Sequence, residues 1–430
     1  MAIYLDNAAT SFPKPPCVYE RLEGFLEQYG ACAGRGSYTM ARQAGEVIEQ
    51  TRARLAQLFH AADSNRIVFA LNATDALNMA IKGVLQAGDH VVTSALEHNS
   101  VTRPLNALER DGVITVTRVG ASSDGVVNPE DVRRAITGRT KLVAILHASN
   151  VTGTLQPIRD IGRVVRERER LLLVDASQTA GAVPIDVEAM GIDLLAFPGH
   201  KGLLGPQGTG GLYVGPRADV RPWREGGTGI LSESPYQPEE LPLRLEAGSP
   251  NTWGLALLGE AVRFLLQYGV ERIQRQETAL IRQLLDGLRA SERFTVYGPQ
   301  EVERRVAVVS MNILGRSPEA VGDFLNRRFE IAVRTGLHCA PGAHRAIGTF
   351  PHGTARISPG YFTKPSEIDR CLEALQACAH EGARSGGMIP PHAGLRHSAR
   401  QTQPKAKQSL LQHFSARCSD WPPASQRVGG

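Results

Sequence analysis

The pattern of hydrophobic and polar residues predicts alternating strands and helices between about residues 65 and 215. Segments with helical periodicity, such as 75–85 and 158–168, lie between short runs of β-branched or apolar residues. The runs that we predict as strands are 66–70, 90–95, 113–119, 141–148, 171–175, 193–197 and 208–214. Strands that alternate with helices are typical of a mostly parallel sheet with helices on both faces. We therefore predict an α/β fold for this part of the chain.

A mixture of helices and strands follows and predicts a smaller α+β domain. The stretch 254–289 has apolar positions at helical spacing, enough for one or two helices. Further on we predict strands at 294–297, 306–313 and 354–357 and helices at 318–329 and 366–379. The sequence Ser-Glu-Ile-Asp that starts at Ser366 has the pattern of a capping box, so we expect the last helix to begin there.

The composition changes after residue 379. Gly, Pro, Ser, Arg, His and Gln dominate the segment 380–430 and no periodicity remains, which is typical of a disordered chain. We therefore divide the protein into an N-terminal segment 1–30 associated with the smaller domain, a large domain 31–255, the small domain 256–379 and a disordered basic tail 380–430.

The net charge of +5 is confined to the tail. Residues 381–430 contain seven basic and two acidic residues, so the rest of the chain is neutral. A neutral body argues against binding to nucleic acid. No apolar run approaches the roughly 18 residues of a membrane span, and the N-terminus lacks the features of a signal peptide. The six cysteines show no CxxC spacing, so we expect reduced thiols and a cytoplasmic protein.

Five polar residues follow the ends of successive predicted strands, namely Thr74, His98, Asn150, Asp175 and Lys201. Ligands bind at this edge of an α/β sheet. A lysine amine among glycines can react with an aldehyde, and a carboxylate at a strand end can keep a pyridinium nitrogen protonated. Taken singly, these residues also fit a solvated lysine, helix caps and a structural histidine. Their common position favours one active site.

Nine sequence motifs occur in an order that resembles the cysteine desulfurase and selenocysteine lyase group of class V aminotransferase-fold enzymes. They are YLDNAAT, NATDALN, LEHNS, HASNVTG, VDASQTAG, GHKG, RLEAGSPNT, VRTGLHCA and GTARIS, and they span about residues 1–379. The resemblance implies a fold-type I homodimer that depends on pyridoxal 5'-phosphate (PLP).

The resemblance also implies which residues contact the ring of the cofactor. Lys201 would form the Schiff base, and Asp175 would contact the pyridine nitrogen. Gln178 would contact the phenolic oxygen. His98 would stack on the ring and carry protons during the reaction.

A second group of residues is implied at the phosphate. Ala73, Thr74 and His200 would lie there in the same chain, and Ser249 would reach the phosphate of the neighbouring subunit. Two positions depart from the family pattern. Pro198 stands where relatives have a serine or threonine that binds the phosphate, and Ala73 lacks the hydroxyl that some relatives carry.

The resemblance implies that Asn150 and Arg356 hold the carboxylate of the substrate and that Cys339 accepts its sulfur. Sulfur transfer needs an accessible thiolate, and either Arg334 or His338 would stabilise it. A buried structural cysteine is the alternative. The cysteine and histidines of this segment fit no standard zinc spacing, so we expect no metal.

The reaction that we predict converts L-cysteine to L-alanine. Lys201 would take the α-proton, and Cys339 would hold the sulfur as a persulfide and pass it to an acceptor protein or thiol. Selenocysteine lyase would use the same residues with L-selenocysteine and remains an alternative, as does a class V lyase or epimerase that does not act on sulfur. A non-catalytic sulfur carrier is disfavoured because both Lys201 and Asp175 are present.

Overall fold

The computed structural model describes residues 2–28, 31–33, 36 and 38–384, so residues 385–430 of the predicted tail lie outside the described residues. The strands are β1 (Ile3–Tyr4), β2 (Ile67–Ala70), β3 (His90–Ser94), β4 (Thr115–Val119), β5 (Thr140–Leu146), β6 (Leu171–Asp175), β7 (Leu194–Pro198), β8 (Gly210–Val214), β9 (Phe294–Tyr297), β10 (Val309–Ile313), β11 (Ile331–Ala332), β12 (Arg334–Gly336) and β13 (Thr354–Ile357). The helices are α1 (Pro16–Gln28), α2 (Thr39–Leu58), α3 (Ala73–Val84), α4 (Asn99–Arg110), α5 (Pro129–Ala135), α6 (Ile158–Glu167), α7 (Thr252–Tyr268), α8 (Val270–Arg289), α9 (Pro318–Phe329), α10 (Pro341–Ala346) and α11 (Pro365–Arg384). Within the described part of the chain, every helix is too short or too polar to cross a membrane.

Seven strands form one sheet in the order β2-β8-β7-β6-β5-β3-β4. Strands β3 to β7 pair in parallel with their neighbours, whereas β8 is antiparallel to both β7 and β2. The prediction of an α/β fold with a mostly parallel sheet is confirmed. Strand β8 runs the other way because the connection 199–209 contains no helix that could carry the chain back across the sheet.

Alternate residues of β7 face opposite sides of the sheet, as the two-residue period of a strand requires. Leu195 and Phe197 pack in a core that includes Leu258 of α7. On the other side of the sheet, Leu194 and Ala196 of β7 pack in a second core that includes Leu77 of α3. Each fully buried side chain of this size stabilises the fold by about 1.5–3 kcal/mol. The two cores therefore hold the strand ends in fixed positions, and the candidate site is built on those ends.

A second sheet has the order β12-β13-β10-β9, with every pair antiparallel, and β1 pairs in parallel with β11. Its core contains Leu284 of α8, Leu325 of α9 and Leu375 of α11. Residues up to Arg384 form one unit by their contacts. The boundaries that we place at residues 30, 255 and 379 stay a prediction.

The helix ends differ from the sequence-based expectation in two parts of the chain. The stretch 254–289 forms two helices that meet at Gly269, whose φ of 93° only glycine adopts without strain. Helix α11 begins at Pro365 and ends at Arg384, five residues beyond the predicted end. Ser366 is therefore inside the helix, and the carboxylate of Glu367 accepts from the backbone N–H of Lys364 at 2.9 Å. Proline suits the first helical position because it has no N–H to leave unpaired there.

Candidate active site

Lys201 and Asp175 lie at the carboxyl edge of the large sheet, after β7 and at the end of β6. The Asp175 side chain is buried, and its Oδ1 accepts from the backbone N–H of Ser177 at 2.9 Å and from the Ser177 hydroxyl. Burial lowers the pKa of the Lys201 amine to about 8, although the charge of Asp175 acts in the opposite direction. A useful fraction of this amine is therefore uncharged near neutral pH, as a nucleophile or base requires.

His98 caps α4, and its Nδ1 accepts from the backbone N–H of Ser100 at 3.1 Å. Because Nδ1 is an acceptor, we assign the ring proton of the neutral imidazole to Nε2. Burial lowers the pKa of His98 to about 4, although Asp175 raises it. The imidazole is therefore neutral at physiological pH and offers Nε2–H as a donor.

The N-terminus of α3 provides an anion site beside His98. Ala73 and Thr74 are its first two residues, and the first turn of a helix leaves backbone N–H groups without helical partners. The Thr74 hydroxyl lies 2.8 Å from the Ser100 hydroxyl, which in turn lies 2.9 Å from Nδ1 of His98. Ser100 was not among the predicted site residues, although it belongs to the LEHNS motif.

The N-terminal segment fixes the backbone next to Lys201. The carbonyl of His200 accepts from the Ser11 N–H at 3.0 Å, the Thr10 hydroxyl at 3.1 Å and the Lys14 amine at 3.0 Å. The Ser11 hydroxyl also donates to the carbonyl of Lys201 at 2.9 Å. No periodicity or spacing indicated these contacts, which join segments about 190 residues apart.

The two remaining predicted cofactor contacts lie at the same edge. Burial lowers the pKa of His200 to about 4, and its buried Nδ1 has no hydrogen-bond partner among the described residues. Gln178 donates through Nε2 to the carbonyl of Ala8 at 3.1 Å and lines a small cavity together with Lys201. Pro198 is buried at the end of β7 and has no side-chain donor.

Arg356 and Asn150, the predicted substrate-binding residues, are in contact. The Arg356 side chain is buried, and its Nη1 donates to the carbonyl of Asn150 at 3.1 Å. Its Nη2 forms an ion pair with Asp6 at 2.7 Å, while its buried Nε has no partner among the residues described. Asn150 Nδ2 donates to the carbonyl of His338 at 2.7 Å. Asp6 belongs to the YLDNAAT motif, but no spacing connected it to a residue 350 positions away.

Cys339 is exposed, as sulfur transfer requires, and a buried structural role is excluded. Its φ is 60° and that of His338 is 48°, a left-handed pair that costs about 1–2 kcal/mol per residue without glycine. The cost is offset by fixed contacts, since the Cys339 carbonyl accepts from the Asn99 N–H at 2.8 Å. Arg334 Nη2 lies 3.6 Å from Sγ of Cys339.

His338 does not supply charge to this thiol, which corrects one of the two alternatives from the sequence. Its ring is buried, and Nε2 lies 3.0 Å from the Thr354 hydroxyl. Burial, together with the charge of Arg356, lowers the pKa of His338 to about 2, so the ring is neutral. Arg334 is therefore the cationic neighbour of Cys339.

Ser249 lies apart from the group around Lys201. It is exposed and lines a cavity of about 400 Å³ together with Leu71, Gly208 and Asn251. Among the described residues, Ser249 forms no hydrogen bond with a predicted cofactor residue of its own chain. Its predicted role at a neighbouring subunit stays a prediction.

Glu97 is a buried carboxyl that the sequence did not single out. Its Oε1 accepts from the Ser94 hydroxyl at 2.6 Å and from the backbone N–H of Leu146 at 3.1 Å, and Oε2 has no partner in the described structure. Burial raises the pKa of Glu97 to about 8. The carboxyl is therefore protonated at neutral pH and joins the ends of β3 and β5, the strands that precede His98 and Asn150.

Replacing Glu97 by glutamine is expected to remove a pH-dependent loss of stability. As the pH rises from about 4.5 to 8, Glu97 ionises in the unfolded chain but not in the fold, so the free energy of unfolding falls. The difference in free energy of unfolding between Glu97→Gln and the parent should grow in favour of the variant across that window by on the order of 5 kcal/mol. Urea unfolding at several pH values measures it, with exposed Glu188→Gln as control. Parallel pH curves for Glu97→Gln and the parent would contradict the assignment.

The residues present fit PLP. The N-terminus of α3, the Thr74 hydroxyl and the unpaired Nδ1 of His200 suit a phosphate, whose negative charge a helix N-terminus favours. The buried carboxylate of Asp175 suits a protonated pyridine nitrogen, and the Lys201 amine suits an aldehyde. These groups share one edge of the sheet.

The chain is similar to several known proteins along most of its length. The family model for aminotransferase class V matches residues 3–371. A probable cysteine desulfurase of Methanothermobacter thermautotrophicus is 35% identical over 387 residues, which cover 88% of this chain and 95% of the relative. A cysteine desulfurase of Yersinia pseudotuberculosis is 33% identical over 384 residues, which cover 87% and 92%. The apo structure of a cysteine desulfurase from Thermococcus onnurineus is 30% identical, with a TM-score of 0.83 and coverage of 88% and 95%. The resemblance inferred from the nine motifs is confirmed.

Proposed function

Because this chain belongs to the class V aminotransferase family, we propose that it is a PLP-dependent cysteine desulfurase that converts L-cysteine to L-alanine. One observation carries the sulfur chemistry. The exposed thiol of Cys339 lies beside Arg334, and the Cys339 backbone is held by Asn99, the residue next to His98. An accessible thiol is therefore anchored at the edge that also carries Lys201 and Asp175.

The cofactor, when bound, would supply an electron sink for the α-carbon of the substrate. Lys201 would hold its aldehyde, Asp175 its ring nitrogen and Gln178 its phenolic oxygen. Thr74, the N–H groups at the start of α3 and His200 would hold its phosphate. The missing donor at Pro198 is consistent with a phosphate held mainly from α3.

Lys201 is the residue that we assign to the α-proton. Its amine has a pKa of about 8, so it is partly uncharged at neutral pH and accepts a proton readily. His98 presents Nε2–H while its Nδ1 is occupied by Ser100. Of its two predicted roles, stacking on the ring therefore fits better than carrying protons. Neutral His98 can donate a hydrogen bond and stack, but protonating it costs free energy.

Arg356 and Asn150 would bind the carboxylate of L-cysteine. The unpaired Nε–H of Arg356 is one donor that its contacts with Asp6 and Asn150 leave over. The substrate's thiol sulfur would then be attacked by the Cys339 thiolate, which lies beside the guanidinium of Arg334. The new S–S bond forms as the carbon–sulfur bond breaks. The electron pair of the broken bond stays with the substrate's β-carbon, which takes up a proton to become the methyl group of alanine, and Cys339 keeps the sulfur as a persulfide for an acceptor protein or thiol.

The direct test of this function is to reconstitute the purified protein with PLP and add L-cysteine. We expect a lysine-bound chromophore that borohydride fixes to the protein, and equal amounts of alanine and acceptor-bound sulfur. L-selenocysteine in competition decides between the two substrates, since both would use the same residues. A protein that binds PLP but forms alanine from neither amino acid would contradict the proposal.

We also propose a homodimer in which Ser249 completes the neighbouring subunit's site. The proposal is supported by apolar side chains exposed at its cavity, since Leu71 and Ile230 line it and are 50% and 44% exposed. Such a patch is typical of a protein interface.

We further propose a cytoplasmic location. The five cysteines that the structure describes are free thiols, which supports it.

Subunit complementation tests the shared site. Lys201→Ala should inactivate a subunit, and Ser249→Asp should weaken PLP binding because it places a carboxylate next to the phosphate. In a heterodimer of these two variants, one site contains both defects and the other contains neither, so about half of the parental activity should return. Two affinity tags isolate the heterodimer, and a Lys201→Ala/parent heterodimer is the control. An inactive heterodimer would place Ser249 in the site of its own chain.

A further inference from the structure

A chain of three polar groups links the predicted phosphate site to His98. The Thr74 hydroxyl is 2.8 Å from the Ser100 hydroxyl, and the Ser100 hydroxyl is 2.9 Å from His98 Nδ1. Ser100 is buried, whereas Thr74 is exposed at the start of α3. The buried serine is thus the only link in this chain that cannot exchange its partners for bulk water.

The directions of these hydrogen bonds follow from the backbone. The Ser100 N–H donates to Nδ1 at 3.1 Å, so Nδ1 is an acceptor in the neutral ring. The Ser100 hydroxyl can therefore contact Nδ1 favourably only as a donor. Its own lone pairs are then free to accept from Thr74. Two donors from one residue fix both the position of the imidazole and the nitrogen that carries its proton.

We propose that Ser100 is a positioning residue that holds His98 as the Nε2–H tautomer over the cofactor site. This inference rests on the proposed function, because it assumes that His98 faces the ring of bound PLP. Ser100 itself would touch neither the substrate nor the ring. It acts through His98 and, at its other end, through the hydroxyl of Thr74.

The charges that face His98 come from several elements. Asp175 at the end of β6 stabilises the protonated ring, whereas Lys201, Arg334 and Arg103 oppose protonation. Among the described residues, none of these charged groups contacts Nδ1. The two donors of Ser100 lie at that atom. Removing the hydroxyl therefore takes away a donor to the neutral form and leaves the charges in place. The pKa of His98 should therefore rise when the hydroxyl is removed.

The test is Ser100→Ala in the PLP-loaded enzyme, which keeps the backbone N–H and removes the hydroxyl. NMR of ¹⁵N-labelled histidine, with the His98 signal identified from His98→Gln, reports the tautomer and the pKa. We expect the pKa of His98 to rise by about one unit. We also expect kcat to fall about tenfold with KM for L-cysteine nearly unchanged, because orientation and not binding is lost.

Two further variants separate positioning from a general structural effect. Ser100→Thr restores a hydroxyl at the same atom position and should return the pKa and kcat towards the parent. Thr102→Ala removes a hydroxyl from the same helix and should leave both unchanged. The backbone N–H of residue 100 still donates to Nδ1 in Ser100→Ala, so the tautomer should persist and the pKa decides: if the His98 signal of Ser100→Ala has the parental pKa, the proposal is wrong. Because the NMR signals do not require turnover, a failure of the desulfurase assignment would show separately, as parental enzyme that forms no alanine.

Discussion

Replacing Lys201 by alanine is expected to lower the rate of alanine formation by at least about 10⁴-fold, because both the covalent link to the cofactor and the base for the α-proton are lost. The fold should persist, since the contacts of the N-terminal segment reach the carbonyls of His200 and Lys201 and not the lysine side chain. The rate of alanine formation and the borohydride-resistant chromophore measure the two losses independently.

The matched control for this substitution is Lys82→Ala, which removes an exposed lysine from α3. It should keep both the chromophore and the activity. Lys14 is the more demanding comparison, because burial lowers the pKa of its amine to about 8 and it lies against the carbonyl of His200. Retention of the borohydride-fixed cofactor in Lys201→Ala, together with its loss in Lys14→Ala, would transfer the covalent role to Lys14.

Replacing Cys339 by serine is expected to lower alanine formation from L-cysteine at least about 100-fold while substrate binding survives. Lys201, Asp175 and Arg356 are untouched, so exchange of the α-proton with deuterated water should continue. A serine hydroxyl stays protonated near neutral pH and is a poor acceptor of sulfur, whereas a thiolate beside Arg334 is a good one. Mass spectrometry should find no persulfide at position 339.

Cys32→Ser is the matched control, since Cys32 is also exposed but belongs to none of the nine motifs. It should desulfurate L-cysteine at the parental rate. L-selenocysteine adds a second comparison, because the carbon–selenium bond breaks more easily and the loss with Cys339→Ser should be smaller. Parental turnover of L-cysteine by Cys339→Ser would remove Cys339 from the reaction and favour a lyase that does not act on sulfur.

Much of the large sheet could be predicted from the amino-acid sequence, for a definite physical reason. Buried parallel strands need continuous apolar runs, and the runs at β3, β5 and β6 are visible as such. Because parallel strands end at one edge, residues that follow several strands must lie close together. Thr74, His98, Asn150, Asp175 and Lys201 could therefore be assigned to one site before any coordinates.

Helices with a weaker local signal were not predicted. Helix α4 contains Pro104, which reads as a helix breaker, and its buried face is set by packing against α3 and not by a long apolar run. The reversed direction of β8 was not predicted either, since one strand has the same residue pattern in either direction and only the short connection 199–209 indicates it.

The contacts that adjust the chemistry depend on distances in space between residues remote in sequence. Asp6 meets Arg356, Arg334 and not His338 supplies charge beside Cys339, and Ser100 bridges Thr74 and His98. Motifs contain most of these residues but do not pair them. Pairing and protonation follow from burial and from the hydrogen-bond partners that packing brings within about 3 Å, and neither is encoded in the local spacing of residues.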